Sequence, residues 1–203
     1  MADYSNNFWN ERYSSVDYIY GTEPNQFFKD QIEKILAPGK LLLPGEGEGR
    51  NAVYAAKLGW KVDAFDQSEK ARQKALKLAE KNQVKINYHV TDLSEFNPGK
   101  NIYDAVAIIY FHIREDLRKT FNQKLNDALN TGGRIIIELF SKNQFGKTSG
   151  GPQDLTMLYS IEEIKNEFHN LKTIILKEEI IHLNESDKHS GEASVIRFVG
   201  EKV

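Results

Sequence analysis

An apolar run that stops at three closely spaced glycines constrains the fold of this chain more than any other feature of its sequence. The leucines at 41–43 are followed by Gly45, Gly47 and Gly49, and a helical pattern begins at Arg50. Glycine adopts positive φ and leaves no Cβ between such a loop and a ligand lying across it. The amides and the positive dipole end of the helix point to the same place. The stretch predicts a strand, a tight loop and a helix that suit a nucleotide-like cofactor.

A second feature stands one predicted strand further along the chain. Residues 61–65 form a strand-like segment that ends at Asp66, about 20 residues past the glycines, where dinucleotide-binding folds place the acid that binds ribose hydroxyls. Gly47, Gly49 and Ala52 fit the fingerprint G-x-G-x-x-G/A, which does not choose among NAD, FAD and S-adenosylmethionine. The alternative is an ordinary βα turn that is rich in glycine.

Strand-like and helix-like segments alternate from residue 40 onward, which predicts an α/β fold with a doubly wound, mostly parallel sheet. Ser160 and Glu163 have the spacing of a capping box that opens a short helix, and the loop of residues 141–153 should border the ligand side. The last two β segments should form an antiparallel pair at one edge, joined by the polar residues 183–192. The predicted strands are 40–43, 61–65, 84–90, 103–110, 134–140, 172–181 and 193–199, and the helices are 50–58, 68–82, 114–130 and 160–169.

The length of 203 residues predicts a single domain over 1–203, with a helical leader at 1–36 and a core at 37–203. The leader has a break at residues 18–24, and Pro24 suits the first turn of a helix running to Leu36. Its aromatic side chains either pack on the core or form a lid over a ligand. They are Tyr4, Phe8, Trp9, Tyr13, Tyr18, Tyr20, Phe27 and Phe28.

The composition excludes several classes of function. The chain has 27 basic and 29 acidic residues and a net charge of -2, so it has no broad field that would attract nucleic acid or an anionic membrane. The absence of cysteine excludes disulfides, a cysteine nucleophile and thiolate zinc sites, and we predict no metal site. The N-terminus has no secretory pattern, and the longest apolar run, at 105–111, is far shorter than the roughly 20 residues of a membrane span. A cytoplasmic location is expected.

Several short motifs, taken in order, resemble those of the class I S-adenosylmethionine-dependent methyltransferases, within the tellurite-resistance and thiopurine-methyltransferase-like group. The resemblance extends nearly from end to end of the chain. It implies a Rossmann-like sheet of seven strands whose sixth and seventh strands are antiparallel. The motifs are Trp9-Asn10-Glu11-Arg12-Tyr13, Tyr20-Gly21-Thr22-Glu23-Pro24-Asn25, Gly47-Glu48-Gly49-Arg50-Asn51-Ala52, Asp66-Gln67-Ser68, Thr91-Asp92-Leu93, Phe111-His112-Ile113, Gly150-Gly151-Pro152 and His189-Ser190-Gly191.

The resemblance implies S-adenosylmethionine as the cofactor and gives roles to single residues. The loop at 45–51 would hold its amino-acid end, Asp66 the ribose, and Asp92 with Leu93 the adenine, while Trp9 and Arg12 would close over it. The residues expected at the cofactor are Trp9, Arg12, Gly45, Glu46, Gly47, Gly49, Arg50, Asn51, Asp66, Gln67, Ser68, Asp92, Leu93 and Tyr110.

The sequence departs from its relatives at two positions. Many have an acid where this chain has Leu43, and Glu46 could take over that acid's contact with the cofactor's ammonium. Many also follow the histidine of the tail with arginine, whereas Ser190 follows His189 here.

The predicted reaction is methyl transfer to a small-molecule acceptor such as a thiol or a metalloid oxyanion, by in-line displacement. The cofactor carries the reactive methyl, so the protein supplies mainly orientation and electrostatics. His112, His189 and Tyr20 are the candidate catalytic residues, since a neutral imidazole can take a proton from a thiol or hydroxyl. Two alternatives are an NAD-dependent oxidoreductase and a domain that binds S-adenosylmethionine without catalysis.

Overall fold

Seven strands form one sheet at the centre of the computed structural model, which describes residues 6–203. They are β1 (Lys40–Pro44), β2 (Lys61–Asp66), β3 (Asn87–Val90), β4 (Tyr103–Ile109), β5 (Leu129–Phe140), β6 (Lys172–Ser186) and β7 (His189–Glu201). Their order across the sheet is β3-β2-β1-β4-β5-β7-β6. Neighbours among β1 to β5 pair in parallel, whereas β7 is antiparallel to both β5 and β6. The predicted α/β fold, mostly parallel with a C-terminal antiparallel hairpin, is confirmed.

Six α-helices occur within residues 6–203: α1 (Asn6–Arg12), α2 (Gln26–Ile32), α3 (Arg50–Lys57), α4 (Glu69–Lys81), α5 (Glu115–Ala128) and α6 (Ile161–Glu167). Ser68 caps α4 by accepting a hydrogen bond from the N–H of Ala71 at 3.1 Å. The capping box predicted for Ser160 and Glu163 is present at the start of α6. None of the helices in the described part of the chain has the length and apolar character needed to cross a membrane.

The sheet buries apolar side chains on both faces, and β4 shows this alternation directly. Val106 and Ile108 join one core cluster with side chains of α5 and α6. Ala105 and Ala107, on the other face of the strand, join a second cluster with side chains of α2, α3 and α4. Successive side chains of a strand point to opposite faces, so helices cover both sides of the sheet, as the doubly wound prediction requires.

Within the described part of the leader, residues 6–36, α1 and α2 are separated by a long connection. Asn25 caps α2, since its side-chain oxygen accepts a hydrogen bond from the N–H of Phe28 at 2.9 Å. The prediction that Pro24 stands in the first turn of a helix running to Leu36 is therefore wrong: the helix begins after Asn25 and ends at Ile32. Residues 13–25 connect the two helices without regular structure. Tyr4 lies outside the described residues.

The strands near the C-terminus are longer than predicted. Most of the expected polar connection at 183–192 belongs to β6 and β7, and His189 opens β7. Polar side chains do not prevent pairing, because backbone N–H and C=O groups make the ladder. Gly132 and Gly133, which stand between the predicted helix at 114–130 and the predicted strand at 134–140, also lie inside β5, where its pairing with β4 shifts register. In contrast, β3 begins three residues later than predicted, at Asn87.

Candidate functional site

A cavity of about 1120 Å³ is lined by residues that follow the carboxyl ends of β1, β2, β3 and β4. The sheet order reverses between β1 and β4, and open α/β sheets bind ligands in the crevice at such a switch point. The cavity brings together most of the predicted site residues. Those that line it are Trp9, Arg12, Tyr20, Gly45, Glu46, Gly47, Arg50, Asn51, Asp66, Gln67, Asp92, Leu93, Tyr110, His112 and His189.

The glycine loop after β1 turns through positive φ at each of its three glycines, with φ of 61° at Gly45, 61° at Gly47 and 90° at Gly49. A Cβ at Gly45 would stand 2.1 Å from the ring of Phe111, and a Cβ at Gly47 would stand 2.8 Å from the hydroxyl of Tyr13. At these glycine positions a side chain is thus excluded by contacts as well as by backbone conformation.

Gly49 and Ser68 do not line the cavity, although both are among the residues predicted to bind the cofactor. A Cβ at Gly49 would lie 2.6 Å from the Cβ of Ala75, so this glycine allows α3 and α4 to approach each other. The hydroxyl of Ser68 is used for capping and donates to Asn10 Oδ1 at 2.8 Å. The structure therefore gives these two residues supporting contacts behind the loop.

Asp66 ends β2 with its carboxylate already held by backbone amides. Its Oδ1 accepts from the N–H of Ser68 at 2.9 Å, and its Oδ2 accepts from the N–H of Gly47 at 3.2 Å. Burial raises the pKa of Asp66 to about 6, against the lowering effect of these hydrogen bonds. The carboxylate is fixed beside the glycine loop and lines the cavity.

Glu46 is the buried carboxylate of the loop itself. Its Oε1 accepts from the N–H of Ala52 at 2.7 Å, and its Oε2 accepts from Asn51 Nδ2 at 3.4 Å. Burial raises the pKa of Glu46 to about 7, while these bonds and the charge of Arg50 lower it. Leu43 of β1 is buried in the core with α2 and α3. Glu46 and Glu48 of this loop both line the cavity, but Glu48 is bound to the N–H groups of Ile19 and Tyr20 and paired with Lys74.

Part of the leader lies across the cavity. The ring of Trp9 stacks on that of Tyr13 at a centroid distance of 5.6 Å, and Arg12 Nη1 donates to the hydroxyl of Tyr20 at 3.1 Å. All four residues line the cavity. The backbone N–H groups of Ile19 and Tyr20 donate to the carboxylate of Glu48 at 2.8 and 3.3 Å, which holds Tyr20 in place.

The predicted adenine side is formed by the turn after β3. Asp92 is exposed, and its Oδ1 accepts from both the N–H and the hydroxyl of Ser94, which lowers the pKa of Asp92. Leu93 packs against the core cluster that includes Phe65. The turn therefore offers an acidic edge beside an apolar wall.

Aromatic rings form the opposite wall. The ring of His189 lies 4.8 Å from Tyr20, 4.7 Å from Tyr110 and 5.6 Å from Phe140, measured between centroids. A Cβ at Gly150 would stand 2.8 Å from His189 Cδ2, so the loop of residues 141–153 packs directly on this ring and borders the cavity. Tyr110 has a φ of 51°, unusual for a bulky residue, and its hydroxyl donates to Glu138 Oε1 at 2.7 Å.

The two histidines that line the cavity differ in their free atoms. His112 uses both ring nitrogens on the backbone: Nδ1 is 2.8 Å from the carbonyl of Met157, and Nε2 accepts from the N–H of Phe140 at 3.3 Å. Burial lowers the pKa of His112 to about 4. His189 Nδ1 is 3.1 Å from Glu185 Oε2, and its Nε2 has no hydrogen bond within the described chain. His189 is thus the one of this pair with a lone pair to offer.

Sequence reasoning missed Tyr13, Phe140, Glu138 and Glu185. Tyr13 and Phe140 line the cavity, and the two carboxylates bind Tyr110 and His189. Glu138 gave a usable signal, because it is a lone acid within the apolar strand Ile135-Ile136-Ile137-Glu138-Leu139-Phe140 and a buried carboxylate needs partners. Glu185 gave none, since acidic residues are common in polar segments.

The residues present fit S-adenosylmethionine by their chemistry. The volume of the cavity exceeds that of most small-molecule sites, and one end carries the fixed carboxylate of Asp66 that ribose hydroxyls require. Glu46 supplies a buried carboxylate for an ammonium, and Arg12 supplies a cation on the leader. The three groups correspond to the polar parts of an amino acid joined to a nucleoside.

Comparisons with known proteins agree with this chemistry. A probable S-adenosyl-L-methionine-dependent methyltransferase, TehB of Haemophilus influenzae, is 22% identical over 159 residues, which are 77% of this chain and 54% of that protein. The crystal structure of TehB from Haemophilus influenzae superposes with a TM-score of 0.73 at 17% identity, over 98% of this chain and 67% of that one. A structure from work on the conversion of a disulfide bond into a thioacetal group during echinomycin biosynthesis gives a TM-score of 0.77 at 15% identity, over 97% and 92%.

These comparisons support different conclusions: some show only the fold, and one shows the family. The two structural matches show the fold, and the chain spans about half the length of the curated TehB proteins that it matches. The family model described as tellurite resistance protein TehB, in contrast, matches residues 6–200. The resemblance to the tellurite-resistance group of class I methyltransferases is thereby confirmed, and the chain belongs to the TehB family.

Proposed function

We propose that this protein is an S-adenosylmethionine-dependent methyltransferase that transfers a methyl group to a small-molecule acceptor by in-line displacement. The observation that carries the proposal is the cavity at the switch point of the sheet, where the glycine loop, Asp66 and an aromatic wall face one space. Membership of the TehB family supports the same conclusion.

The proposed cofactor site follows the polar groups of the cavity. The loop from Gly45 to Asn51 would hold the amino-acid end, with Glu46 facing its ammonium. Asp66 would accept hydrogen bonds from the ribose, and the turn at Asp92 would flank the adenine. Trp9 and Arg12 would cover the cofactor from the leader. Gly49 and Ser68 would act through the packing of the loop and the capping of α4.

When bound, the cofactor supplies a methyl group on a positively charged sulfur. The residues of the protein hold the two reactants in line and exclude water, and orientation of this kind is worth up to roughly 7–11 kcal/mol. His189 can take the acceptor's proton at Nε2. Tyr20 and Tyr110 fix the ring beside the reacting atoms. His112 would position Phe140 and the segment at Met157, because both of its nitrogens are occupied.

The aromatic wall around His189, which would face the methyl acceptor, favours a thiol over an oxyanion as that acceptor. Its rings offer apolar faces and edges, and sulfur makes favourable contacts with aromatic rings. Arg50 is ion-paired with Glu185 at 3.0 Å, and Arg197, which shares Glu138 with Tyr110, is paired with that carboxylate at 2.5 Å. An oxyanion at this wall would therefore have to rely on other cations of the lining, such as Arg12, which donates to the hydroxyl of Tyr20, and the exposed Lys188.

Two measurements test the proposal. Calorimetry with S-adenosylhomocysteine and with NAD separates a methyltransferase from an oxidoreductase, and we expect binding of the former alone. An acceptor screen that follows release of S-adenosylhomocysteine should then give turnover with 2-mercaptoethanol or dithiothreitol and less with selenite or tellurite. Binding without turnover of any acceptor would instead support a domain that has kept the fold and lost the chemistry.

A further inference from the structure

Glu185 occupies an irregular position in the C-terminal hairpin. The pairing of β6 with β7 shifts register between Asn184, which faces Ser190, and Ser186, which faces His189. Glu185 is the extra residue at this bulge. Bulges redirect side chains and are common beside functional sites. Its carboxylate lies 3.1 Å from Nδ1 of His189, four residues later in the chain.

The carboxylate of Glu185 joins three parts of the molecule. Its Oε2 accepts from Arg50 Nη2 at 3.0 Å and lies 3.1 Å from His189 Nδ1, and its Oε1 accepts from Asn25 Nδ2 at 3.1 Å. Arg50 is the first residue of α3, directly after the glycine loop. Burial alone would raise the pKa of Glu185, but the bonds from His189 and Arg50 lower it to about 2. The group is therefore an anion at neutral pH.

An anion at Nδ1 determines how His189 holds its proton. A carboxylate accepts hydrogen bonds and donates none, so the neutral imidazole beside it carries its proton on Nδ1. Burial lowers the pKa of His189, with partial compensation by Glu185, and so favours the neutral ring. Nε2 is then an unprotonated acceptor in a ring that lines the cavity.

We propose that Glu185 is a positioning residue that holds His189 in the Nδ1–H tautomer and aims Nε2 at the methyl acceptor. The proposal rests on the proposed function. As the acceptor's sulfur or oxygen bonds to the methyl carbon, its proton passes to Nε2, and the electron pair of the broken carbon–sulfur bond stays on the sulfur of S-adenosylhomocysteine. The imidazolium formed is stabilised by the Glu185 carboxylate and later loses its proton to solvent. Arg50 keeps Glu185 in place and connects it to the glycine loop.

The decisive measurement is the ring nitrogen NMR spectrum of protein labelled with ¹⁵N-histidine, without cofactor or acceptor. The signals of His189 are those absent from a His189→Phe variant. We expect Nδ1 to be protonated and Nε2 unprotonated in the wild type. Glu185→Gln and Glu185→Ala should introduce the Nε2–H tautomer at His189 while the other histidines keep their signals. Glu192→Gln is the matched control, since this exposed acid of the same hairpin pairs with Lys147 and should change nothing.

Kinetics with 2-mercaptoethanol as acceptor give a second readout. Glu185→Gln keeps the size of the side chain and should lower kcat about 10- to 100-fold, up to the lower end of the roughly 10²- to 10⁴-fold contribution of general acid–base catalysis, with the KM for S-adenosylmethionine nearly unchanged. An Nε2–H tautomer in the wild type, or the same tautomer in all variants, would overturn the proposal whether or not the protein transfers methyl groups. Failure of the wild type to bind S-adenosylhomocysteine would contradict the proposed function instead, and the NMR result would still decide the role of Glu185.

Discussion

Asp66 is held in its binding position before any ligand arrives. Backbone amides from Gly47 and Ser68 donate to its two oxygens, so the orientation of the carboxylate is set by the protein. We expect Asp66→Ala to remove charge-assisted hydrogen bonds to the ribose worth about 1.5–3 kcal/mol, and to weaken S-adenosylhomocysteine binding about 10- to 100-fold in calorimetry.

Asp63→Ala is the control for that substitution. Asp63 lies on the same strand but pairs with Lys40 at 2.8 Å and does not line the cavity. It should leave the dissociation constant unchanged. Equal affinities for the Asp66→Ala, Asp63→Ala and wild-type proteins, all folded by circular dichroism, would show that Asp66 does not contact the ligand.

The buried carboxylate of Glu46 makes cofactor binding depend on pH. Burial raises its pKa to about 7 and that of Asp66 to about 6, so Glu46 is mostly protonated below pH 7 and ionised above it. Only the ionised form attracts an ammonium. Affinity for S-adenosylhomocysteine should therefore rise with pH through 7, by at most about tenfold per pH unit. Calorimetry between pH 5.5 and 8.5 measures this slope.

Glu46→Gln identifies the group responsible. The variant cannot ionise at this position, so the step near pH 7 should disappear and a smaller step near pH 6, from Asp66, should stay. A step near pH 7 that persists in the variant would assign the pH dependence to another residue.

The residues that sequence could identify are those whose contacts are local. The glycine loop, Asp66 and the capping box are each defined by neighbours within one βα unit or one helical turn. The partners of Glu138 and Glu185 could not be identified in the same way, because Arg197 and Arg50 stand 59 and 135 residues away from them in the chain. Such pairs depend on how the sheet is ordered, and alternation of segments predicts that a sheet forms without giving the side-chain partners across it.

At the scale of the elements, Arg118 joins α5 to α6. Its side chain is 1% exposed and forms ion pairs of 2.8 Å with Glu163 and Glu167. The guanidinium also lies 4.4 Å from the ring of Tyr159. Arg118→Ala would leave carboxylates without their partner in a largely buried place, and we expect a loss of about 3 kcal/mol in the free energy of unfolding by urea.

Arg114→Ala is the matched control near the start of the same helix. Its ion pair with Asp116 is more than half exposed on both sides, so its removal should cost less than about 1 kcal/mol. Similar losses for the two variants would mean that the buried pairs of Arg118 contribute no more than a surface pair.

The leader divides into an anchored part and a part with little burial. Residues 15–20 are anchored: Lys74 of α4 donates to the carbonyls of Ser15 and Asp17 and pairs with Glu48 at 2.5 Å, while Glu48 binds the N–H groups of Ile19 and Tyr20. Helix α1 has no buried residue and is linked to the start of α4 through Asn10 Oδ1, which accepts from Ser68 Oγ and from the N–H of Lys70. We therefore propose that movement of the lid is confined to helix α1, and that the break at residues 18–24, which contains Gly21 and Pro24, stays fixed.

Hydrogen exchange tests this division. In the free protein the amides of α1 should exchange fast and those of Ile19 and Tyr20 slowly; S-adenosylhomocysteine should protect α1, because Trp9 and Arg12 line the cavity and would close on a bound ligand. Glu48→Ala should speed exchange at Ile19 and Tyr20, whereas Glu11→Ala, on exposed α1, should not. Equal protection of α1 with and without ligand would mean that the leader is permanently packed.

At the scale of the whole molecule, the C-terminal hairpin connects parts of the core that lie on opposite faces. Ile196 and Phe198 of β7 belong to the cluster with α5 and α6, and Val199 belongs to the cluster with α2, α3 and α4. Because β7 also pairs with β5 over seven residues, loss of the hairpin would expose both faces. This arrangement predicts that residues 37–203 unfold as one cooperative unit, in line with the single domain expected from the length.

The two tryptophans allow the unfolding of the core to be compared with that of the leader. Trp60 is 4% exposed in the core cluster with α2 and α3, and Trp9 lies in α1 against Tyr13. In a Trp9→Phe variant, the fluorescence of Trp60 and the circular dichroism should give the same urea midpoint, the usual sign of a two-state transition.

In a Trp60→Phe variant, the fluorescence of Trp9 should change at lower urea than the circular dichroism of that same variant. Saturating S-adenosylhomocysteine should bring the two curves of the second variant together, because the ligand couples α1 to the core. Different midpoints in the first variant would contradict a single domain, and coincident curves in the second variant without ligand would place the leader inside the cooperative core.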